Sequence, residues 1–210
     1  MTRRSDTLRA AARSPARALF ASIVFLMPGV FAAAGCGTLH QGLPVRSPRA
    51  SEAYNTVLAA YTRSAEVSEN LSRVLTVVAT YQTPAYLRAR FAEEARYKML
   101  PEREAQSLLQ RFVSEYPGPT VVLWFDAVDP DAEDLHRHDS ATRVALEAGG
   151  QAWDAVEVRR LDADDPAMRH LFPYVNEFGK LYLVRFPKDA PETGADLIVA
   201  GPLAQIRLEY

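Results

Sequence analysis

The residues best equipped for chemistry lie between positions 126 and 140, in the stretch DAVDPDAEDLHRHDS. Asp126, Asp129, Asp131, Glu133, Asp134, His136, His138 and Asp139 are crowded together there. Histidines two apart on a strand project to one face, and with a nearby carboxylate they can ligate a transition metal. His136, His138 and Asp139, helped by Asp129 and Asp131, are the ligands in that reading. Asp129, Asp131 and Glu133 also offer hard oxygens for calcium. The EF-hand order fails, however, because Asp134 stands where its glycine belongs and no bidentate glutamate follows at the required place. The competing reading is an acidic, solvated connection whose aspartates serve as turn and cap residues. We favour it over a metal-dependent or carboxylate hydrolase centred on residues 126–139.

Other candidates are sparser. The aspartates of LDADDP, residues 161–166, suit caps for a short helical turn around Pro166 to His170. His40 and His170 stand alone and read as surface or satisfied histidines. In FPYVNEFGKLYLVRF, Tyr174, Phe178, Tyr182 and Phe186 could form a recognition surface, with Tyr174 and Phe178 as partner contacts. At their spacing they read more naturally as sandwich core. No Gly-x-Ser-x-Gly elbow, His-Glu-x-x-His, phosphate-cradling glycine loop or dinucleotide fingerprint is present. No enzymatic activity is expected.

The single cysteine, Cys36, has a more specific setting. Residues 1–17 carry Arg3, Arg4, Arg9, Arg13 and Arg17 against Asp6 alone, and residues 18–35, ALFASIVFLMPGVFAAAG, carry no charge. A basic start, an apolar run and small residues before a boundary make a secretory signal. The run is a poor spanning helix, since about 20 continuous apolar residues are needed and Pro28-Gly29 interrupts it.

The tetrad Ala33-Ala34-Gly35-Cys36 resembles the lipobox of bacterial lipoproteins, with Ala33 where leucine is usual. That resemblance implies a diacylglycerol on the Cys36 sulfur, removal of residues 1–35 and acylation of the new amino terminus. Gly37, in place of an aspartate, implies the outer rather than the inner membrane. One fatty chain binds only marginally, at about 0.8 kcal/mol per buried methylene, whereas two or more anchor stably. The alternative is an ordinary thiol in a signal-peptide tail. Arg3-Arg4 also opens a twin-arginine reading, but Asp6 and Thr7 stand where an apolar residue is wanted.

Composition narrows the partners. Without residues 1–35 the 24 basic and 26 acidic residues become 19 and 25, a net of −6. No basic footprint for nucleic acid remains. Membrane residence would rest on acyl chains, and no cofactor is expected beyond the covalent lipid. With its one cysteine acylated the chain has no disulfide, so stability must come from packing. A 48% hydrophobic and 10% aromatic composition can supply that.

The elements follow from period and punctuation. Residues 36–50 read as the lipidated cysteine and a tether, and residues 51–210 as one globular domain. Its part from about 51 to 117 is helical and its part from about 118 to 210 mainly β. Ser51 caps a short helix carrying Tyr54, Val57, Leu58 and Tyr61. RVLTVVATYQT, residues 73–83, is a strand that joins the sheet, with a buried helix as the competitor. Pro84 and Pro101 start two helices, striped with Leu87, Phe91, Ala95 and Met99 and with Ala105, Leu108, Leu109, Phe112, Val113 and Tyr116. These pair as a hairpin that ends at YPGPT.

After Thr120 the chain reads as β. Strands are expected at 120–128, at 141–148 and 154–161 about a Gly149-Gly150 turn, at KLYLVRFP, and at DLIVA and the final residues about Gly201-Pro202. The fold expected is α+β: an immunoglobulin-like antiparallel β-sandwich with an N-terminal helix and a helical hairpin inserted after its first strand. The order of pieces also resembles a group of bacterial lipoproteins of unassigned activity, through VVATYQTPAYLRARF and FPYVNEFGKLYLVRFP. The function expected is that of a lipid-anchored envelope protein that binds or scaffolds an envelope protein or glycan. An apolar-ligand carrier, with its site between sandwich and hairpin, is a further alternative.

Overall fold

A computed structural model describes residues 45–210. Cys36, the signal-like stretch and the first part of the tether lie outside the described residues. The elements run α1 (Glu52–Tyr61), β1 (Thr62–Glu69), β2 (Ser72–Tyr81), α2 (Pro84–Tyr97), α3 (Glu102–Glu115), β3 (Thr120–Ala127), β4 (Arg143–Ala148), β5 (Gln151–Asp154), β6 (Glu157–Arg160), α4 (Pro166–Leu171), β7 (Lys180–Arg185), β8 (Asp196–Ala200) and β9 (Gln205–Leu208). A 3-10 turn, Pro130–Glu133, follows β3.

The α+β class and two antiparallel sheets are as expected. One sheet has the order β1-β2-β3-β7-β6 and the other β5-β4-β8-β9. Alternation along β3 explains how three layers share one strand. Val121, Leu123 and Phe125 point into the core between the sheets, while Val122 and Trp124 point into a second core beneath the helices. Every residue of β3 is buried, which is why its sequence is apolar on both faces. The inter-sheet core also takes Val77 and Ala79 of β2, Tyr182 and Val184 of β7, and Leu146, Val199 and Ile206 of the second sheet.

Three expectations are corrected. The hairpin follows the second strand, because Thr62–Glu69 forms β1 and pairs with β2 along its length. The turn at Gly149 and Gly150, with φ of +59° and +81°, leads into β5, which returns on β4. The expected strand 154–161 is therefore divided: Asp154 ends β5, and β6 crosses to the other sheet to pair with β7. Residues 135–139 form turns, so His136 and His138 do not lie on a strand.

The β1–β2 turn carries strain. Asn70 and Leu71 have φ of +49° and +67°, and the Leu71 side chain is fully exposed. A two-residue hairpin of this kind needs positive φ at both positions and prefers glycine at the second. Leu71→Gly removes about 1–2 kcal/mol of left-handed strain, partly offset by glycine's greater freedom when unfolded. The expected result is a melting temperature higher by about 2 °C, and a fall on thermal melting would contradict the assignment.

Candidate functional site

Helix α2 begins at Thr83, whose hydroxyl caps it by accepting from the Tyr86 N–H, and Pro84 needs no partner in the first turn. Its expected stripe is partly right. Leu87, Phe91 and Ala95 are buried, and Phe91 meets Phe112 of α3 with ring centroids 5.5 Å apart. Met99 lies past the helix end with φ of +54° and is exposed. A neighbouring stripe, Tyr86, Arg90, Glu93 and Tyr97, turns toward α1, α4 and the sheet, and Arg90 and Glu93 on it are buried charges.

Glu93 is the centre of a polar node that joins three helices. Its Oε2 accepts from the Ser51 Oγ at 2.9 Å and the Ser51 N–H at 3.3 Å. Arg96 grips both oxygens, through Nε at 3.0 Å and Nη2 at 2.5 Å. His170 of α4 bonds Oε1 through Nε2 at 2.8 Å, and the side chains of Glu93 and His170 are 1% and 5% exposed. Burial alone would push the Glu93 carboxyl up, but hydrogen bonds from Arg96, His170 and Ser51 outweigh it and hold it at about 2. An ionised carboxylate only accepts, so His170 carries a proton on Nε2.

The His170 ring stacks on Tyr97 at 4.3 Å between centroids. It also helps to line a cleft of about 490 Å³, together with Ser47, Arg49, Tyr97, Asp164 and Arg169. The Asp165 side chain caps α4 by accepting from the Ala167 N–H, as the LDADDP stretch led us to expect.

Ser51, His170 and Glu93 have the residue types of a catalytic triad but a different connectivity. In a triad the histidine bonds the hydroxyl and takes its proton. Here the hydroxyl bonds the carboxylate, whose low affinity for protons makes it a poor base. The arrangement holds charge in place and presents the imidazole to the cleft.

A second cavity, of about 280 Å³, opens between the hairpin and the ends of β2 and β3. Leu87, Leu109, Phe112, Val113 and Tyr116 line it. Although α3 has a clean apolar stripe, Ala105 is its one buried residue, and Val113 is 51% exposed. Behind the wall lies Arg90, which donates to the Gln82 Oε1 at 2.9 Å and sits 5.0–5.4 Å from the rings of Phe91, Phe112 and Phe172. Its Nε has no partner and no carboxylate pairs with it among the described residues. Three ring faces, each worth about 0.5–2 kcal/mol, offset part of the several kcal/mol that burying the cation costs.

No protein-family model, curated protein or solved structure matches this chain.

The 126–140 segment is built differently from a ligand cluster. Asp129 caps the 3-10 turn by accepting from the Asp131 N–H, and Glu133 is buried, accepting from the Ala127 N–H at 3.0 Å. Asp134 pairs with Lys180 at 2.8 Å, and Asp139 with Arg137 at 3.1 Å. His136 and His138 are exposed, with the His136 ring 6.1 Å from that of Tyr182. No group of three His, Cys, Asp or Glu side chains able to hold a metal forms among the described residues. Tyr174 donates to or accepts from Thr80 at 2.8 Å and packs on the helical core, while Phe178 is 69% exposed. Cys36 lies outside the described residues.

Two site features escaped sequence reasoning: the Glu93–His170 node and buried Arg90. Glu93 meets partners 42 and 77 residues away, so no local spacing signals it. The one available signal was a helix with two polar residues, Arg90 and Glu93, on a face that continues from Tyr86.

Proposed function

We propose that the chain is a lipid-anchored envelope protein whose domain is a binding module, and that it binds an apolar chain of an envelope lipid between hairpin and sheet. The observation that carries this reading is the apolar cavity at the hairpin, beside an α3 whose apolar face is only half covered. Helices normally bury such a stripe, and a half-covered one beside a concave apolar wall is suited to a ligand. The volume of about 280 Å³ lies just under the usual range for small-molecule sites, which begins near 300 Å³. It therefore suits the end of one acyl chain rather than a whole lipid. The lipobox-like tetrad ending at Cys36 supports the anchor, and the immunoglobulin-like reading of the two-sheet frame draws support from its shared core.

The test is mass spectrometry on protein purified from membranes without denaturation. Two signals are expected: an acylated peptide beginning at Cys36, and an apolar ligand released by organic solvent. Leu109→Glu places a charge in the cavity wall and is expected to reduce released ligand at least tenfold while leaving the acylated peptide unchanged. An unmodified Cys36 would remove the anchor. Acylation with no released ligand would remove the cavity reading alone.

A further inference from the structure

The cleft at His170 is separate from the apolar cavity and has different chemistry. Its wall carries Arg49 and Arg169 against Asp164, on a chain that is acidic once residues 1–35 are set aside. Asp164 holds Arg169 at 2.6 Å. The Arg49 side chain pairs with no carboxylate among the described residues, whereas its carbonyl accepts from Arg96 at 2.7 Å. His170 is buried, its Nε2 is committed to Glu93, and its Nδ1 has no partner among the described residues. The negative charge of Glu93 is matched by Arg96, so it leaves the cleft's positive balance in place. Two guanidiniums against one carboxylate suit an oxyanion, which accepts several hydrogen bonds at once, and the His170 ring in the same wall lies where it would report on an anion bound there.

Position supplies the second argument. Ser47 and Arg49 are among the first described residues, and both line the cleft. Eight residues lie between Cys36 and Val45, and the nine steps from one Cα to the other, at about 3.3–3.6 Å each, span about 30 Å at full extension. An anchor at Cys36 therefore keeps this face within about 30 Å of the membrane.

We propose that the cleft walled by Arg49, Tyr97, Arg169 and His170 binds a phosphate-type oxyanion, supplied by phospholipid head groups. The membrane source rests on the anchoring proposed above; the oxyanion site does not.

The experiment uses the chain from residue 36 onward, as Cys36→Ser, with histidine rings labelled for NMR. Inorganic phosphate is expected to shift the His170 resonances saturably while those of His136 and His138 stay in place. Arg49→Met is expected to weaken that effect at least tenfold without changing the melting temperature, since its side chain holds no carboxylate. Vesicles of phosphatidylglycerol are expected to broaden the His170 signals, and vesicles of a phosphate-free glycolipid are not. Shifts with phosphate but none with phosphatidylglycerol would overturn the membrane source and leave a site for a soluble phosphate. No saturable shift with either, or an unchanged response in Arg49→Met, would overturn the site itself. Neither outcome depends on whether Cys36 is acylated.

Discussion

Glu93→Ala is expected to destabilise the domain by about 3–5 kcal/mol, the usual consequence of breaking a buried, hydrogen-bonded charge pair from one side. It strands the His170 Nε2–H, the Ser51 hydroxyl and N–H, and the inner edge of Arg96, groups now served by one carboxylate. Because these groups come from α1, α2 and α4, the loss is expected to loosen the helical layer as a whole.

The same carboxylate predicts an acid limb. Its folded-state value of about 2 lies below its ordinary 4.5. Its contribution is thus complete above about pH 4.5 and is lost as pH falls through about 2. The difference corresponds to on the order of 3 kcal/mol. Urea unfolding of wild type and Glu93→Ala between pH 7 and 2.5 checks this. The gap between the two is expected to narrow toward low pH, and a constant gap would mean that the charge of Glu93 contributes nothing.

Gly179→Ala is the second large effect, and it acts through crowding. A Cβ at Gly179 would lie 2.7 Å from the Phe125 carbonyl oxygen and 2.7 Å from Cε2 of Trp124. The first is backbone of the central strand. The second belongs to an indole that is 3% exposed and packed beneath the helices. Neither can move without disturbing the β3–β7 pairing, in which Phe125 stands opposite Lys180. Overpacking of this kind costs about 1–3 kcal/mol, and the upper end is expected because a backbone atom is involved. The urea midpoint is expected to fall with its slope unchanged, together with a change in tryptophan fluorescence. A wild-type midpoint would show that the β3–β7 pair has slack.

Much of the frame was legible because local chemistry declares it. Pro84 and Pro101 mark the helix starts, Ser51 and Asp165 cap as expected, and the alternation of Ile206 and Leu208 with Gln205 and Arg207 survives as burial. Strand β1 was not legible. Its sequence TRSAEVSE is polar and small, and it is held by register with β2 and by a 2.8 Å bond between the Thr62 and Thr80 hydroxyls. The split of residues 154–161 between sheets depends on β7, which lies further along the chain, and local alternation carries no such information.

The site was harder for a related reason. Periodicity sorts charged residues to the surface, and the apolar stripe expected on α2, Leu87, Phe91 and Ala95, passes by Arg90 and Glu93. His170 read as either a surface or a satisfied histidine, and in the structure it is buried with Glu93 as its partner. In α3 the pattern was clear, but the burial it implied is only partly realised, and that shortfall became the functional clue.

The strand order also governs when the molecule can close. β1, β2 and β3 can pair as they emerge and β4 can pair with β5, but β3 gains its second neighbour only with β7, where Thr120 stands opposite Arg185, and β4 only with β8, where Arg143 stands opposite Ala200. Pairings so distant along the chain form late, because loop closure precedes their reward. Strand β9, at Gln205–Leu208, completes the inter-sheet core. A ribosome that has released only the first hundred or so described residues therefore holds helices and the three strands β1, β2 and β3, with no second sheet and no finished core. A polypeptide in that state can still be drawn through a narrow pore, and its latch is the last strand to arrive.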